Sequence, residues 1–326
     1  MNLGILQERA KIVSAIRRFF DARGFVEVET AVRIPAPAPE EHIDCPPVVG
    51  GGYLRASPEL QMKKLLAAGM DKIYQIGPCF REGEKGSRHN PEFTMIEWYR
   101  RDSTYLDIKD DLENLLGSLG GGGEKRWTAD EKFHCPPPPL FSTLSVRDAY
   151  CEYAGWDPWV GDWDQNRFDF DMATKIEPAI KELGGGVFLM DYPPQAASLA
   201  KTVPCASCLV RRPSTIADAI SAGNEARSTK HKAQSTSYAE RWEFYWDGME
   251  LANCFTELCD CDEQLKRFES AKAARKLLKE SDYPIDSEFI ESLPRIGSAA
   301  GVALGVDRLV MVLTKTKDIS AVRADI

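Results

Sequence analysis

Apolar residues recur at two spacings along this chain, and the change from one to the other divides it into helices and strands. From Leu6 to Arg23 they return at helical spacing, with Ile12, Ile16, Phe19 and Phe20 on one side and Gly24 as a stop, which predicts an amphipathic helix. FVEVET reads as a short strand, and the Pro- and Gly-rich stretch from Ile34 to Gly52 as loop. Ser57-Pro58 opens the next helix, ELQMKKLLAAG, with a serine cap and proline in the first turn. KIYQIGPCF and EFTMIEWY are strand-like runs on either side of the polar loop Glu82 to Arg88, which predicts an antiparallel hairpin with a long charged connection.

Further helices are predicted over Thr104 to Leu119, Ser145 to Ala154, Phe170 to Leu183 and Asp262 to Lys279. VFLMDYP reads as a buried strand. ERWEFYWDGMELANCFTEL alternates about Asp247-Gly248, a strong two-residue turn signal, and predicts a second hairpin. GVALGVDRLVMVLT reads as strand, Gly-rich turn and helix. CPPPP at Cys135 to Pro139 is a stiff linker, and the glycine runs at Gly120 to Gly123 and Gly184 to Gly186 are flexible connectors. There is no internal repeat.

The second hairpin places chemistry on one face. Across a two-residue turn Tyr245 pairs with Glu250 and Glu243 with Ala252, so Glu243 and Glu250 share a face. Two neighbouring carboxylates suit Mg²⁺ bridging phosphates, and they equally suit a solvated strand face. Glu257 falls on the opposite face of an unbroken strand. For it to join the same site a bulge must intervene, and Asn253-Cys254 is the expected place. Arg81, at the end of the first strand of the charged hairpin, and Arg308, at the start of the last helix, are the cationic counterparts. Planar guanidinium groups suit phosphate oxygens as well as ordinary surface ion pairs. Phe93 fits either a stacking platform or the core.

Composition narrows the partners. The chain has 326 residues and 43% hydrophobic content, enough for a full core. Its net charge of -9 argues against wholesale adhesion to nucleic-acid backbones. No apolar run approaches the ~20 residues that span a bilayer, so no membrane partner is expected. Nine cysteines, irregularly spaced, read as reduced cytoplasmic thiols. The segment from Lys201 to Arg241 carries seven basic and three acidic residues and reads as an insertion. It is either a disordered surface loop or a contact for an acidic partner. Cys205 and Cys208, with Cys259 and Cys261, have the wrong second spacing for a standard zinc site.

Taken together, these blocks resemble the catalytic core of class II aminoacyl-tRNA synthetases in the usual order. RGFVEVET is similar to motif 1, FREGEKGSRHNPEFTMIEWY to motif 2 and GVALGVDRLVM to motif 3, while ASPELQMKKLL and GMELANCFTELCD resemble the lysyl branch. The resemblance covers nearly the whole chain. It implies an α+β fold with a mixed, mainly antiparallel sheet flanked by helices, residues 1–326 as a single catalytic domain, and a homodimer. The chain begins almost at motif 1, so no N-terminal anticodon-binding domain and no stable tRNA binding are expected. Among family members it is therefore most similar to the truncated lysyl-tRNA synthetase paralogues that ligate (R)-β-lysine to a lysine of translation elongation factor P. An adenylate-forming enzyme with another acceptor, such as tRNA in trans, and a non-catalytic regulatory paralogue are the alternatives.

What the resemblance implies for individual residues is specific. Ser57, Pro58 and Glu59 line the amino-acid pocket, with Glu59 taking the substrate amino group, and Tyr99 and Glu257 hold the side-chain ammonium. Arg81 contacts the α-phosphate of ATP, with Glu82 and Gly83 nearby. Asn90, Phe93, Leu251 and Gly305 surround the nucleotide, Glu243 and Glu250 carry Mg²⁺, and Arg308 reaches the γ-phosphate. The chain departs from the family pattern at Gly83, where Glu is frequent, at Ala31 for proline, at Cys254 for glycine at the expected bulge, and at Ala303 for glycine. The added methyl of Ala303 reshapes the amino-acid pocket in a way that suits a β-amino acid.

Overall fold

The computed structural model describes residues 2–120, 140–204 and 237–324. Its frame is a long sheet. The strands are β1 (Val26–Glu27), β4 (Lys72–Phe80), β5 (Glu92–Arg101), β6 (Phe141–Ser145), β7 (Gly186–Tyr192), β8 (Thr202–Pro204), β9 (Ser237–Trp246), β10 (Met249–Thr256) and β11 (Ala299–Gly305). They run in the order β1-β4-β5-β11-β10-β9-β7-β6, with β8 against β9. The β1–β4 and β6–β7 pairs are parallel and the others antiparallel. A separate ribbon pairs β2 (Arg33–Ile34) with β3 (Tyr53–Leu54). This is the mixed, mainly antiparallel α+β architecture expected from the sequence.

Alternation along each strand gives the sheet two different faces. Ile96, Trp98, Val302, Leu304, Cys254, Trp242 and Phe244 point to one side, where α1 (Leu3–Asp21), α3 (Tyr105–Leu119) and α9 (Val306–Thr314) cover them. Phe20 of α1 stacks on Tyr74 with ring centroids 5.0 Å apart. Each such side chain contributes about 1.5–3 kcal/mol on full burial, so this face is the main source of stability. The opposite face is covered at one end by α2 (Glu59–Ala67), α7 (Cys261–Leu278) and α8 (Ser287–Ser292), through Leu60, Leu66, Phe268 and Phe289. Beside the start of α2 it opens into a cleft.

Several local expectations change. The helix expected over Ser145 to Ala154 is α4 (Val146–Ala149) followed by a wider π turn, Tyr150–Ala154. That expected near Phe170 begins earlier, as α5 (Gln165–Asp171), and runs through a second π turn into α6 (Glu177–Leu183). Gly184 and Gly185 are not a loose connector. Both have positive φ, ending α6 in a fixed turn, and Gly186 already belongs to β7. The final strand passes straight into α9 at Gly305 without a separate turn. Lys201 and Arg241 bracket β8 and the start of β9, so both ends of the expected insertion are built into the sheet. Residues 205–236, with Cys205 and Cys208, lie outside the described residues, as do Cys135 to Pro139 and Gly121 to Gly123.

Candidate active site

The open part of the sheet face forms a cleft of about 420 Å³, floored by β5, β11, β10 and β9. Antiparallel pairing sets its floor: Glu97 lies beside Ala303 and Tyr99 beside Gly301, and Ala303 and Gly301 in turn lie beside Asn253 and Phe255. Asn253 pairs with Glu243. That last pair differs from the expected register. The turn at Asp247-Gly248 and the Tyr245–Glu250 pair are as the sequence suggests, but the ladder shifts between Glu250 and Ala252, so Glu243 meets Asn253 rather than Ala252. The bulge therefore sits at Leu251. Cys254 is a regular, fully buried strand residue paired with Trp242 and Val302, and no glycine is needed there.

One extra residue at Leu251 brings Glu250 onto the side of the strand that Asn253, Phe255 and Glu257 share. The demand that a bulge separate Glu250 from Glu257 is met, two residues earlier than expected.

Ser57, Glu59, Arg81, Asn90, Phe93, Tyr99, Glu243, Glu250, Leu251, Ala303, Gly305 and Arg308 all line this one cleft. Pro58, Glu82, Gly83 and Glu257 do not. Pro58 is buried under the start of α2, and Glu82 and Gly83 are exposed on the hairpin loop. Gly83 has φ +78°, a left-handed turn that a glutamate would strain. Glu257 lies just beneath the floor. A Cβ on Gly301 would meet its Oε1 at 3.0 Å and overlap the Tyr99 ring.

The cleft has an acidic end. The Ser57 hydroxyl donates to Glu97 Oε1 (2.7 Å) and accepts from the Glu59 amide (2.9 Å), while the Tyr99 hydroxyl donates to Glu97 Oε2 (2.7 Å). Lys63, one turn along α2, is buried and ion-paired to both Glu59 and Glu257. Burial, then the Glu59 charge, pushes Glu97 up to about 7. Burial, opposed by Lys63 and reinforced by Glu59 and Glu97, pushes Glu257 up to about 8. Burial pulls Lys63 down, but the Glu257 and Glu59 charges outweigh it and hold the ammonium above its ordinary value. Oε1 of Glu257 is buried without a hydrogen-bond partner among the described residues.

The other end is cationic. Arg81 lies 5.2 Å from the Phe93 ring centroid and 3.6 Å from Glu84 Oε1, and its Nε is buried without a partner among the described residues. Phe93 is half-buried in the cleft wall, not in the core. Arg308 donates to the Glu250 carbonyl (3.0 Å) and to His89 Nε2 (2.6 Å), and its Nη1 lies 3.5 Å from Glu250 Oε2. His89 is lowered by burial and by the adjacent Arg308. Glu243 accepts from Arg241 Nη2 (2.6 Å) and the Tyr245 hydroxyl (2.7 Å). Burial in the cleft and the Glu243 charge push Glu250 up to about 6, against Arg308. No group of three or more His, Cys, Asp or Glu able to hold a metal occurs among the described residues.

Sequence reasoning missed Lys63, Glu97, His89 and Arg241. Glu97 stands two residues before Tyr99 on the same strand face, and Lys63 stands one helical turn after Glu59. Both spacings were available as signals. Arg241 was assigned to the insertion, whereas it belongs to β9 and also donates to Asn253 Oδ1 (3.1 Å) and the Ala196 carbonyl (2.8 Å).

A family model for class II tRNA synthetases (D, K and N) matches residues 2–324. The elongation factor P (R)-beta-lysine ligase of Proteus mirabilis (strain HI4320) is 34% identical over 355 residues, covering 99% of this chain and 95% of the relative. Relatives of the same description from Vibrio atlanticus (strain LGP32) and Yersinia enterocolitica serotype O:8 / biotype 1B are 34% and 35% identical, covering 94% and 98% of this chain and 90% and 94% of their own lengths. No helix among the described residues is long and apolar enough to cross a membrane.

Proposed function

The chain belongs to the class II tRNA synthetases of the D, K and N type, and from that membership we propose that it is an ATP-dependent ligase that activates (R)-β-lysine, or lysine, and transfers it to a lysine of translation elongation factor P. Its relatives carry that description over nearly their full length. The observation that carries the assignment is the two-ended cleft. A buried carboxylate oxygen of Glu257 lacks a partner at one end and a buried guanidinium nitrogen of Arg81 at the other, among the described residues. Ligand ammonium and phosphate groups are the complements of those two atoms.

In the first step the substrate carboxylate attacks the α-phosphorus of ATP. An O–P bond forms, the bond to the β-phosphate oxygen breaks, and pyrophosphate leaves. No protein nucleophile takes part, so the chain contributes positioning and charge stabilisation. Glu59 takes the substrate amino group, and Glu257 and Tyr99 the distal ammonium. Arg81 meets the α-phosphate and Arg308 the γ-phosphate. Phe93 stacks on adenine, with Asn90, Leu251 and Gly305 around the nucleotide and Glu82 and Gly83 at its rim. Glu243 and Glu250 fit Mg²⁺, because the Glu243 charge raises Glu250 and a cation held there would relieve that repulsion. No group of three or more His, Cys, Asp or Glu able to hold a metal occurs among the described residues, so phosphate oxygens and water would have to supply the other ligands. Bound there, Mg²⁺ would supply charge neutralisation of the polyphosphate.

In the second step the neutral amine of the acceptor lysine attacks the adenylate carbonyl. A C–N bond forms, the C–O bond to phosphate breaks, AMP leaves, and the protons released pass to solvent. Ala303, on the floor between Glu97 and Asn253, supports the β-amino acid as substrate. We read residues 1–326 as one catalytic domain acting as a cytoplasmic homodimer without stable tRNA binding. The test is incubation with elongation factor P, ATP, Mg²⁺ and each lysine isomer, followed by intact-mass measurement. One added lysyl group, faster with (R)-β-lysine than with α-lysine, is expected. A protein that neither modifies the factor nor exchanges pyrophosphate into ATP with any isomer would overturn the assignment.

A further inference from the structure

Lys63 is one of the least accessible charged groups near the cleft, and none of the steps above uses it. Its side chain is 1% exposed and that of its neighbour Glu257 0%. It projects from α2 between two carboxylates on different elements, Glu59 on its own helix and Glu257 just beyond β10. Phe255 lies on a third side, its ring centroid 5.0 Å from Nζ. A buried lysine that serves only packing is expensive, because desolvation of its ammonium opposes folding. Here it is tied to the two carboxylates that would receive the amino acid.

The charge count at this end is informative. Around Lys63, Glu59, Glu97 and Glu257 supply three carboxylates and Lys63 one ammonium, while the charge of Glu40 is set against Arg81 and Arg241. Two negative charges remain, which matches the two ammonium groups of a diamino acid. An uncompensated third carboxylate would stay protonated or turn away, and the end would lose its fixed shape. Pairing with Lys63 occupies Oε2 of Glu257 and leaves Oε1 facing the floor beneath Gly301. The other groups that feel this site are Tyr99 from β5, Cys254 from β10, Cys259 and Lys201 beyond the strands, and Glu40 from the loop after β2.

We propose that Lys63 is the positioning residue of the amino-acid end: an internal counter-ion that turns one oxygen edge of Glu59 and of Glu257 toward the ligand and sets the charge of the end to that of a diamino acid. The proposal rests on the ligase reading above for the identity of the ligand. It adds a residue with no substrate contact of its own that acts through Glu59 and Glu257.

The test compares Lys63→Met and Lys63→Arg with the unaltered protein in pyrophosphate exchange, with separate titrations of lysine isomer and ATP. Lys63→Met is expected to raise KM for the amino acid about ten-fold or more while KM for ATP moves less than about three-fold, since an unpaired buried carboxylate reverts to its neutral form. Because Lys63 lowers the Glu257 value, its loss must also displace the pH dependence of that KM toward alkaline pH. Lys63→Arg keeps the charge and should retain the pH profile with a smaller rise in KM. A lowered melting temperature with unchanged amino-acid KM and pH profile in Lys63→Met would make Lys63 a structural strut and overturn the proposal. If Lys63→Met does not fold, Lys63→Gln takes its place: a KM for the amino acid and a pH profile equal to those of the unaltered protein overturn the proposal. Absence of exchange in the unaltered protein would instead remove the ligase reading, so the two failures are distinguishable.

Discussion

Gly301→Ala is a one-methyl change whose consequence follows from the geometry of the cleft floor. Gly301 lies opposite Tyr99 on β5 and beside Phe255 on β10, and its φ is not in the left-handed region, so backbone strain plays no part. Space is what decides. The added Cβ would overlap Cδ1 and Cε1 of Tyr99 and come within 3.0 Å of Glu257 Oε1. The strand backbone is held by ladders on both sides, so the Tyr99 ring must move. Overpacking of this kind costs about 1–3 kcal/mol. Displacing the ring also breaks the Tyr99 hydroxyl bond to Glu97 (2.7 Å), a bond to an ionisable group worth about 1.5–3 kcal/mol. These costs overlap, and a net loss of about 1.5–3 kcal/mol corresponds to a KM for the amino acid raised about ten- to one-hundred-fold. The phosphate-facing residues lie at the other end of the cleft, so KM for ATP should stay within about two-fold of the unaltered value. Pyrophosphate exchange under separate titration of the two substrates measures both. A variant with unchanged amino-acid KM would show that Tyr99 and the floor at Gly301 do not shape the amino-acid end.

Two further outcomes follow from the titrating groups. With Glu97 held near 7 and Glu257 near 8, a ligand ammonium must lower both. Amino-acid binding should therefore release protons below about pH 8 and tighten as pH rises toward that value, as calorimetry in buffers of different ionisation enthalpy would reveal. The stability sign is opposite for the free protein. Carboxylates whose folded values are raised contribute stability that is fully present below their unfolded values and lost as pH rises through about 7 to 8, so the melting-temperature gain on adding lysine isomer should be larger at about pH 8 than at about pH 6. Equal gains at both would contradict it. Glu250→Gln removes one of two adjacent carboxylates. It should raise the Mg²⁺ concentration for half-maximal exchange by about ten-fold, with little change in amino-acid KM, and an unaltered Mg²⁺ titration would exclude Glu250 from metal binding.

The fold was readable because it follows from local patterns. Alternation in KIYQIGPCF and EFTMIEWY, the Asp247-Gly248 turn and the helical run from Thr104 to Leu119 each produce the expected element. Most of the candidate residues also fall on one cleft: strand periodicity puts Gly301 and Ala303 on one face of β11, and antiparallel pairing sets Tyr99 beside Gly301. What could not be read is the meeting of distant elements. Lys63 looks like one charge among many on an amphipathic helix, and only the fold brings it against Glu257. Glu97 looks like an interruption in an apolar strand until Ser57 and Tyr99 are seen to satisfy both its oxygens. Arg241 reads as part of a basic loop until β9 is seen to begin before it.

The bulge at Leu251 shows how one residue of register decides whether the site exists. In a regular strand Glu250 and Glu257 face opposite sides of the sheet, one toward the cleft and the other into the apolar layer beneath α1 and α3. A carboxylate in that layer would carry a desolvation penalty with no cation to offset it. The ladder shift between Glu250 and Ala252 restores Glu257 to the cleft side, where Lys63 meets it. The same shift keeps Trp242, Phe244, Ala252 and Cys254 in the core, so the hydrophobic layer is undisturbed. A single strand can then present Glu250 at the cationic end and Glu257 at the acidic end. Deleting Leu251 would reverse every later side chain of β10, and a folded deletion variant that still binds the amino acid would refute this account of the site.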